Sequence, residues 1–165
     1  MATGVIIGAA VIFAALHAPL VFENPKSSII FGASSRIYLG PHVILKGIEI
    51  PVEIASSSMA LQKGLSGRLS LDHDKGMLFL FSKPDYYRFW MPDMHFPLDI
   101  IWVDKTPKIA GIEKNISPEF DPANPRFYIS PARVQYVLEV NAGFSENIGI
   151  EVGDKVIFKN FDGNY

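Results

Sequence analysis

"GMLFLF", residues 76–81, decides the fold. Five apolar residues follow the glycine, and none of them is suited to face water. The run is bounded by Lys75 and by Ser82-Lys83-Pro84-Asp85. It reads as a β-strand covered on both faces. Such a strand needs neighbours beside it and layers above and below it.

The flanking segments supply them. "YYRFWM" (86–91), "LDIIWVD" (98–104), "KIAGIEKNI" (108–116) and "VQYVLEV" (134–140) read as strands, the third weakened by Gly111. Upstream, Ile48, Ile50, Val52 and Ile54 alternate with Glu49, Pro51 and Glu53, the pattern of a half-buried strand. Pro51 points to an edge, a bulge, or the side of the strand that lacks a ladder partner. "EVGDKVIF" (151–158) adds a turn at Gly153-Asp154 and a last strand. Two short helices are expected. One lies in "SSSMALQKGLSGRL" (56–69), opened by a serine N-cap and closed by Gly64 or Gly67; the other follows Gly143. Strands in succession, without long helices between them, favour antiparallel pairing. The expected fold is mainly β (α+β): a compact antiparallel β-barrel-like or sandwich domain over residues 36–160. Residues 117–131 hold four prolines and show no period. A loop that long inside a compact domain is usually functional or mobile.

Before the domain stands "GVIIGAAVIFAALHAPLVF", residues 4–22, with no formal charge. As a helix it would reach ~28 Å, about the thickness of a bilayer's hydrocarbon core. Residues 1–22 therefore read as an export signal or membrane anchor, and Ser- and Pro-containing 23–35 as a linker. The competing expectation is a buried N-terminal helix. No Lys or Arg precedes the apolar run, while Lys26 and Arg36 follow it, so charge does not settle the orientation. The expected location is extracytoplasmic, membrane-anchored or exported.

Composition removes several functions. With 48% hydrophobic and 19% charged residues, the chain folds around a sizeable core. A net charge of -2 and the lack of a Lys/Arg cluster leave nothing to neutralise phosphates, so nucleic acid is not an expected partner. The absence of cysteine excludes disulfides, thiolate zinc sites and a cysteine nucleophile. "QKGLSGR" is not a phosphate loop, and no serine sits in a nucleophile elbow. No cofactor is expected.

Five segments, in order between about residues 44 and 158, carry a resemblance: "VEIASSSMALQKGLSGR", "KGMLFLF", "FWMPDMHFPLDIIWVD", "SPARVQYVLEVNAGF" and "IGIEVGDKV". On these the chain resembles the domain of unknown function 192 family. The resemblance implies a small, mainly antiparallel β domain with short helices, often behind an export signal in bacteria. It implies no established activity, and leans towards binding, carbohydrate included. His95 departs from the family pattern, so a metal role for it would be private to this chain.

"FWMPDMHFPLD" (89–99) concentrates the candidate chemistry. Met91, Met94 and His95 offer two thioethers and an imidazole, ligands that suit Cu(I); equally, the methionines fill gaps and His95 is an exposed loop residue. Asp99 shares a strand face with Ile101 and Val103. It is either a ligand-binding or general-base carboxylate, or a structural one that accepts backbone N–H bonds or pairs with Arg68 or Arg88. Glu139 poses the same question. Together the two would be the minimum for a hydrolase acting on an envelope saccharide. Among the crowded aromatics, Trp90 and Phe96 are the expected pocket rim. The expected ligand-binding set is Arg68, Trp90, Met91, His95, Phe96, Asp99 and Glu139, in a module that binds a small molecule or saccharide. The hydrolase and Cu(I) handling are the alternatives. Oligomeric state is not legible.

Overall fold

The structure, a computed structural model, describes residues 39–161. The expected apolar helix of residues 4–22 and the 23–35 linker lie outside the described residues. None of the described helices is long and apolar enough to cross a membrane.

The expected strands form, with altered bounds. β1 (His42–Leu45) and β2 (Ile48–Ala55) make a hairpin around Lys46-Gly47, followed by α1 (Ser58–Lys63). β3 (Gly76–Asp85) runs through the segment "SKPD", where a turn was expected. β4 is only Arg88–Phe89, far shorter than "YYRFWM" suggested. Then come β5 (Leu98–Val103), β6 (Ile109–Ile116), β7 (Tyr128–Ile129), β8 (Val134–Asn141), α2 (Phe144–Asn147) and β9 (Val156–Lys159).

Seven strands form one sheet in the order β6-β5-β8-β3-β2-β1-β9, and β4 pairs with β7 in a small ribbon. The pairing is not wholly antiparallel as expected: β2 and β3 run parallel. The reason is the segment between them. Parallel neighbours need a crossover of a dozen or more residues, and α1 with its flanking turns provides it.

The sheet curls. β6 and β9 are its two edges, yet Lys108 bridges to Lys155, and Ile109 N–H donates to the Asp154 carbonyl at 2.9 Å. The result is a half-barrel whose edges touch at one end. Its inner face gathers Val43, Ile50, Leu78, Ile101, Leu138 and Val156. The outer face carries Met77, Phe79, Leu98, Ile100, Trp102 and Val137, roofed by α1, β4, β7 and the 90–97 loop. β3 and β5 thus alternate between two cores, as the unbroken apolar run "MLFLF" requires. Each such buried side chain contributes roughly 1.5–3 kcal/mol.

Glycines admit the roof. An ideal Cβ on Gly111 would lie 2.5 Å from Pro131 Cγ, so the strand that looked weakened is the seat of the long loop. The loop is stapled further on. Ser130 N–H donates to the Tyr87 carbonyl at 2.9 Å, and Tyr87 N–H donates to the Ser130 hydroxyl at 3.1 Å. The Ser57 hydroxyl accepts from Ala60 N–H at 3.2 Å and opens α1; Gly64, at φ 48° and ψ -132°, closes it. That backbone conformation is costly for any side chain. A Cβ there would also sit 3.1 Å from the Phe79 ring. Gly64→Ala is therefore expected to lower the unfolding free energy by roughly 2 kcal/mol. Urea denaturation measures it, and an unchanged midpoint would remove this account of the turn.

Candidate functional site

Alternation along β8 places the site. Tyr136, Leu138 and Val140 point into the half-barrel, while Val137 and Glu139 belong to the outer face. Glu139 lies opposite Met77 of β3 and Ile100 of β5, in the middle of the sheet. Its residue is 5% exposed, and no hydrogen bond or ion pair joins its carboxyl to another described residue. Burial alone pushes its pKa from 4.5 up to about 8.

Above it the roof leaves a pocket of about 260 Å³. Phe79, Phe81, Tyr87, Phe89 and Trp90 line it, with Met91 and Met94, Leu61 and Leu65, and Glu139 as the one carboxyl among the lining residues. The walls are braced. Phe81 and Tyr87 stack with centroids 3.6 Å apart, and Phe89 meets Phe79 edge-on at 4.9 Å. Trp90 stands at the mouth, 46% exposed. It stacks on Phe127 at 5.6 Å and meets Phe120 edge-on, both from the long loop, and the Arg88 guanidinium lies over Phe127.

The other expected residues fall in different places. Met91 is buried, and with Met94 it lines the pocket. His95 is exposed, 3.6 Å from Asp93, and is not on the pocket wall. The three candidate copper ligands do not meet in the pocket. Among the described residues no cluster of three or more His, Asp or Glu stands ready for a metal. Phe96 packs against the outer core and does not line the pocket. Arg68 holds Glu53 through two bonds of 2.6 and 2.7 Å, at a second, polar pocket of about 480 Å³ that shares Lys63, Gly64 and Ser66 with the first. It holds neither Asp99 nor the aromatic pocket.

Asp99 is on the opposite face of the sheet from Glu139. Lys114 and Asn115 together oppose it in a β-bulge, since Leu98 pairs with Ile116 and Ile100 with Glu113. Its carboxylate accepts Asn115 N–H at 2.8 Å, Gly143 N–H at 3.2 Å and Ser145 N–H at 2.8 Å. This is the structural alternative that the sequence left open. The two carboxyls therefore do not share a cleft. Sequence reasoning passed over Leu61, Leu65, Phe81, Tyr87 and Phe127. The first two read as ordinary helix-segment residues, Phe81 and Tyr87 as members of an aromatic crowd, and Phe127 sits in a loop without a period.

A family model for uncharacterized conserved proteins, DUF192 ("Uncharacterized ACR"), matches residues 42–158. The chain belongs to the DUF192 family. The match runs from β1 into β9 and includes every strand of the half-barrel. Among solved structures, a protein of unknown function from Novosphingobium aromaticivorans DSM 12444 is 33% identical, with a TM-score of 0.63 over 71% of this chain and 82% of its own. A protein from Sinorhizobium meliloti 1021, provisionally described as a transcription regulator, is 27% identical, with a TM-score of 0.65 over 73% of this chain and 93% of its own. A search of the curated proteins finds no match.

Two outcomes test these carboxyls. Asp99→Asn turns an acceptor of three N–H bonds into a group that must direct its own NH₂ at one of them. Unfolding free energy should fall by roughly 2–4 kcal/mol; a loss under ~0.5 kcal/mol would show that the three bonds do little. Glu139 acts in the other direction. The unfolded chain ionises it near 4.5, the folded chain only near 8. Between those values the native state holds a proton that the unfolded state has released, so stability falls as pH rises from about 4.5 to about 8 and then levels. Glu139→Gln should remove that slope and raise the thermal midpoint at pH 8. A variant no more stable than the parent at that pH would contradict the burial described here.

Proposed function

We propose that this protein is an extracytoplasmic ligand-binding module and that the pocket above Glu139 receives its ligand. One observation carries the proposal: a buried carboxyl without a partner among the described residues opens into an aromatic-walled pocket. Burial of that carboxyl favours its neutral form, and the pocket is its opening to the outside. No described residue forms a hydrogen bond or ion pair with it, and a ligand in the pocket would supply that partner. The braced aromatic walls supply preformed apolar surface, as small-molecule sites generally do.

A saccharide suits this arrangement. Its apolar ring face would stack on Trp90 at the mouth, and a polar substituent would reach Glu139. The extracytoplasmic setting, with membrane attachment or export through residues 4–22, is supported by the uncharged apolar run there. The hydrolase alternative keeps one favourable feature. A carboxyl with a pKa near 8 is protonated at neutral pH, the state of a general acid. Its base would have to be a group other than Asp99.

A thermal-shift screen of the full chain against neutral and amino saccharides tests the proposal, because binding to the native state raises the midpoint by mass action. A hit is expected, weakened about tenfold by Trp90→Ala, on the scale of a lost aromatic contact. A hit untouched by Trp90→Ala would move the site away from this pocket.

A further inference from the structure

We propose that the ligand of this pocket carries a positive charge: an ammonium group seated against Glu139 among the aromatic rings. The inference rests on the pocket being a binding site and names the class of ligand it takes.

Three features select a cation. The first is the floor. Glu139 is buried, lacks any described partner, and lines the pocket, so the missing complement is a donor or a positive charge. The second is the wall. Phe79, Phe81, Tyr87, Phe89 and Trp90 surround the space, with thioether sulfur from Met91 and Met94. Aromatic faces carry negative potential and attract ammonium groups; rings that enclose a quaternary ammonium are a recurring arrangement. Sulfur is polarisable and adds to the same preference. A neutral hydroxyl would gain from the carboxyl alone, a cation from the carboxyl and the rings together, and an anion from neither. The third is the placing of the protein's own cations. Lys63 of α1 and Arg88 of β4 are both exposed, and neither forms an ion pair with Glu139. Arg88 is directed at Phe127. The carboxyl of Glu139 is therefore left for a ligand.

Binding a fixed cation would ionise Glu139 and release its proton. The titratable or charged groups on the walls around it are Lys63, Tyr87 and Arg88. β3 and β5 face it across the sheet with uncharged Met77 and Ile100.

The test uses the full chain and three probes: benzyltrimethylammonium, whose charge does not titrate, and the neutral benzyl alcohol and glucose. Titration calorimetry in buffers of different ionisation enthalpy reads affinity and proton release. Benzyltrimethylammonium is expected to bind with release of a proton below pH 8, its Kd weakening about tenfold for each pH unit below the carboxyl's pKa. Above pH 8 Glu139→Gln should bind it at least ~10-fold more weakly than the parent, and its own affinity should not change with pH. Thermal melting of that variant confirms that it is folded. Neutral probes binding as well as the cation, or a cation affinity indifferent to pH and to Glu139→Gln, would overturn the inference and leave the pocket standing as a neutral-ligand site. If no probe of either charge binds, both the inference and the pocket as a small-ligand site fall.

Discussion

The central strands of this sheet have no side that faces water. β5 is buried at every position, β3 from Gly76 to Phe79 and β8 from Val137 to Val140. A polar group placed there must find a partner or an opening. Two carboxyls are placed there, on neighbouring strands: Asp99 pairs in register with Val140, and Glu139 with Ile100. They meet the requirement in opposite ways. Asp99 faces inward and takes three backbone N–H bonds, which join β5 to the bulge of β6 and to the start of α2. Glu139 faces outward, finds no described partner, and has a pocket instead.

The pocket depends on the roof, and the roof on aromatic packing. Phe89, from a strand of two residues, meets Phe79, Phe81 and Trp102 edge-on. The backbone bonds between Tyr87 and Ser130 tie that strand to the long loop, and Pro131 seats the loop in the space left by Gly111. The same rings serve as core on one side and as pocket wall on the other. Walls of this kind are set before any ligand arrives, which reduces the ordering cost of binding.

Membership of DUF192 brings a fold and no activity. Any functional conclusion must therefore come from the site itself. Here the pocket is lined by a neutralised carboxyl, five aromatic rings and two thioethers, with Leu61, Leu65, Lys63 and Arg88 among the other lining residues. The motif that attracts attention in the sequence, Met91-x-x-Met94-His95, contributes only its methionines to the wall. His95 turns to Asp93 and solvent.

Much of this was determined locally. The run "MLFLF" demanded a doubly covered strand, the spacing of strands demanded a mainly β domain, and a serine with Gly64 or Gly67 bounded a short helix. Period-two alternation also put Asp99 on the face of Ile101 and Val103. Such patterns are legible because they arise from covalent geometry and from burial of one residue after the next. Tertiary structure alone decided the rest. The parallel pairing of β2 with β3, the contact of the sheet's two edges, and the shortening of "YYRFWM" to two residues all depend on distant partners. So does the difference between the two carboxyls. Asp99 and Glu139 look alike along the chain, each a lone acid among aliphatic neighbours. What separates them is whether backbone N–H groups from β6 and the α2 turn, or the side chains of a largely apolar pocket, arrive at the carboxyl. Alternation assigns a residue's face, and long-range packing supplies what that face meets.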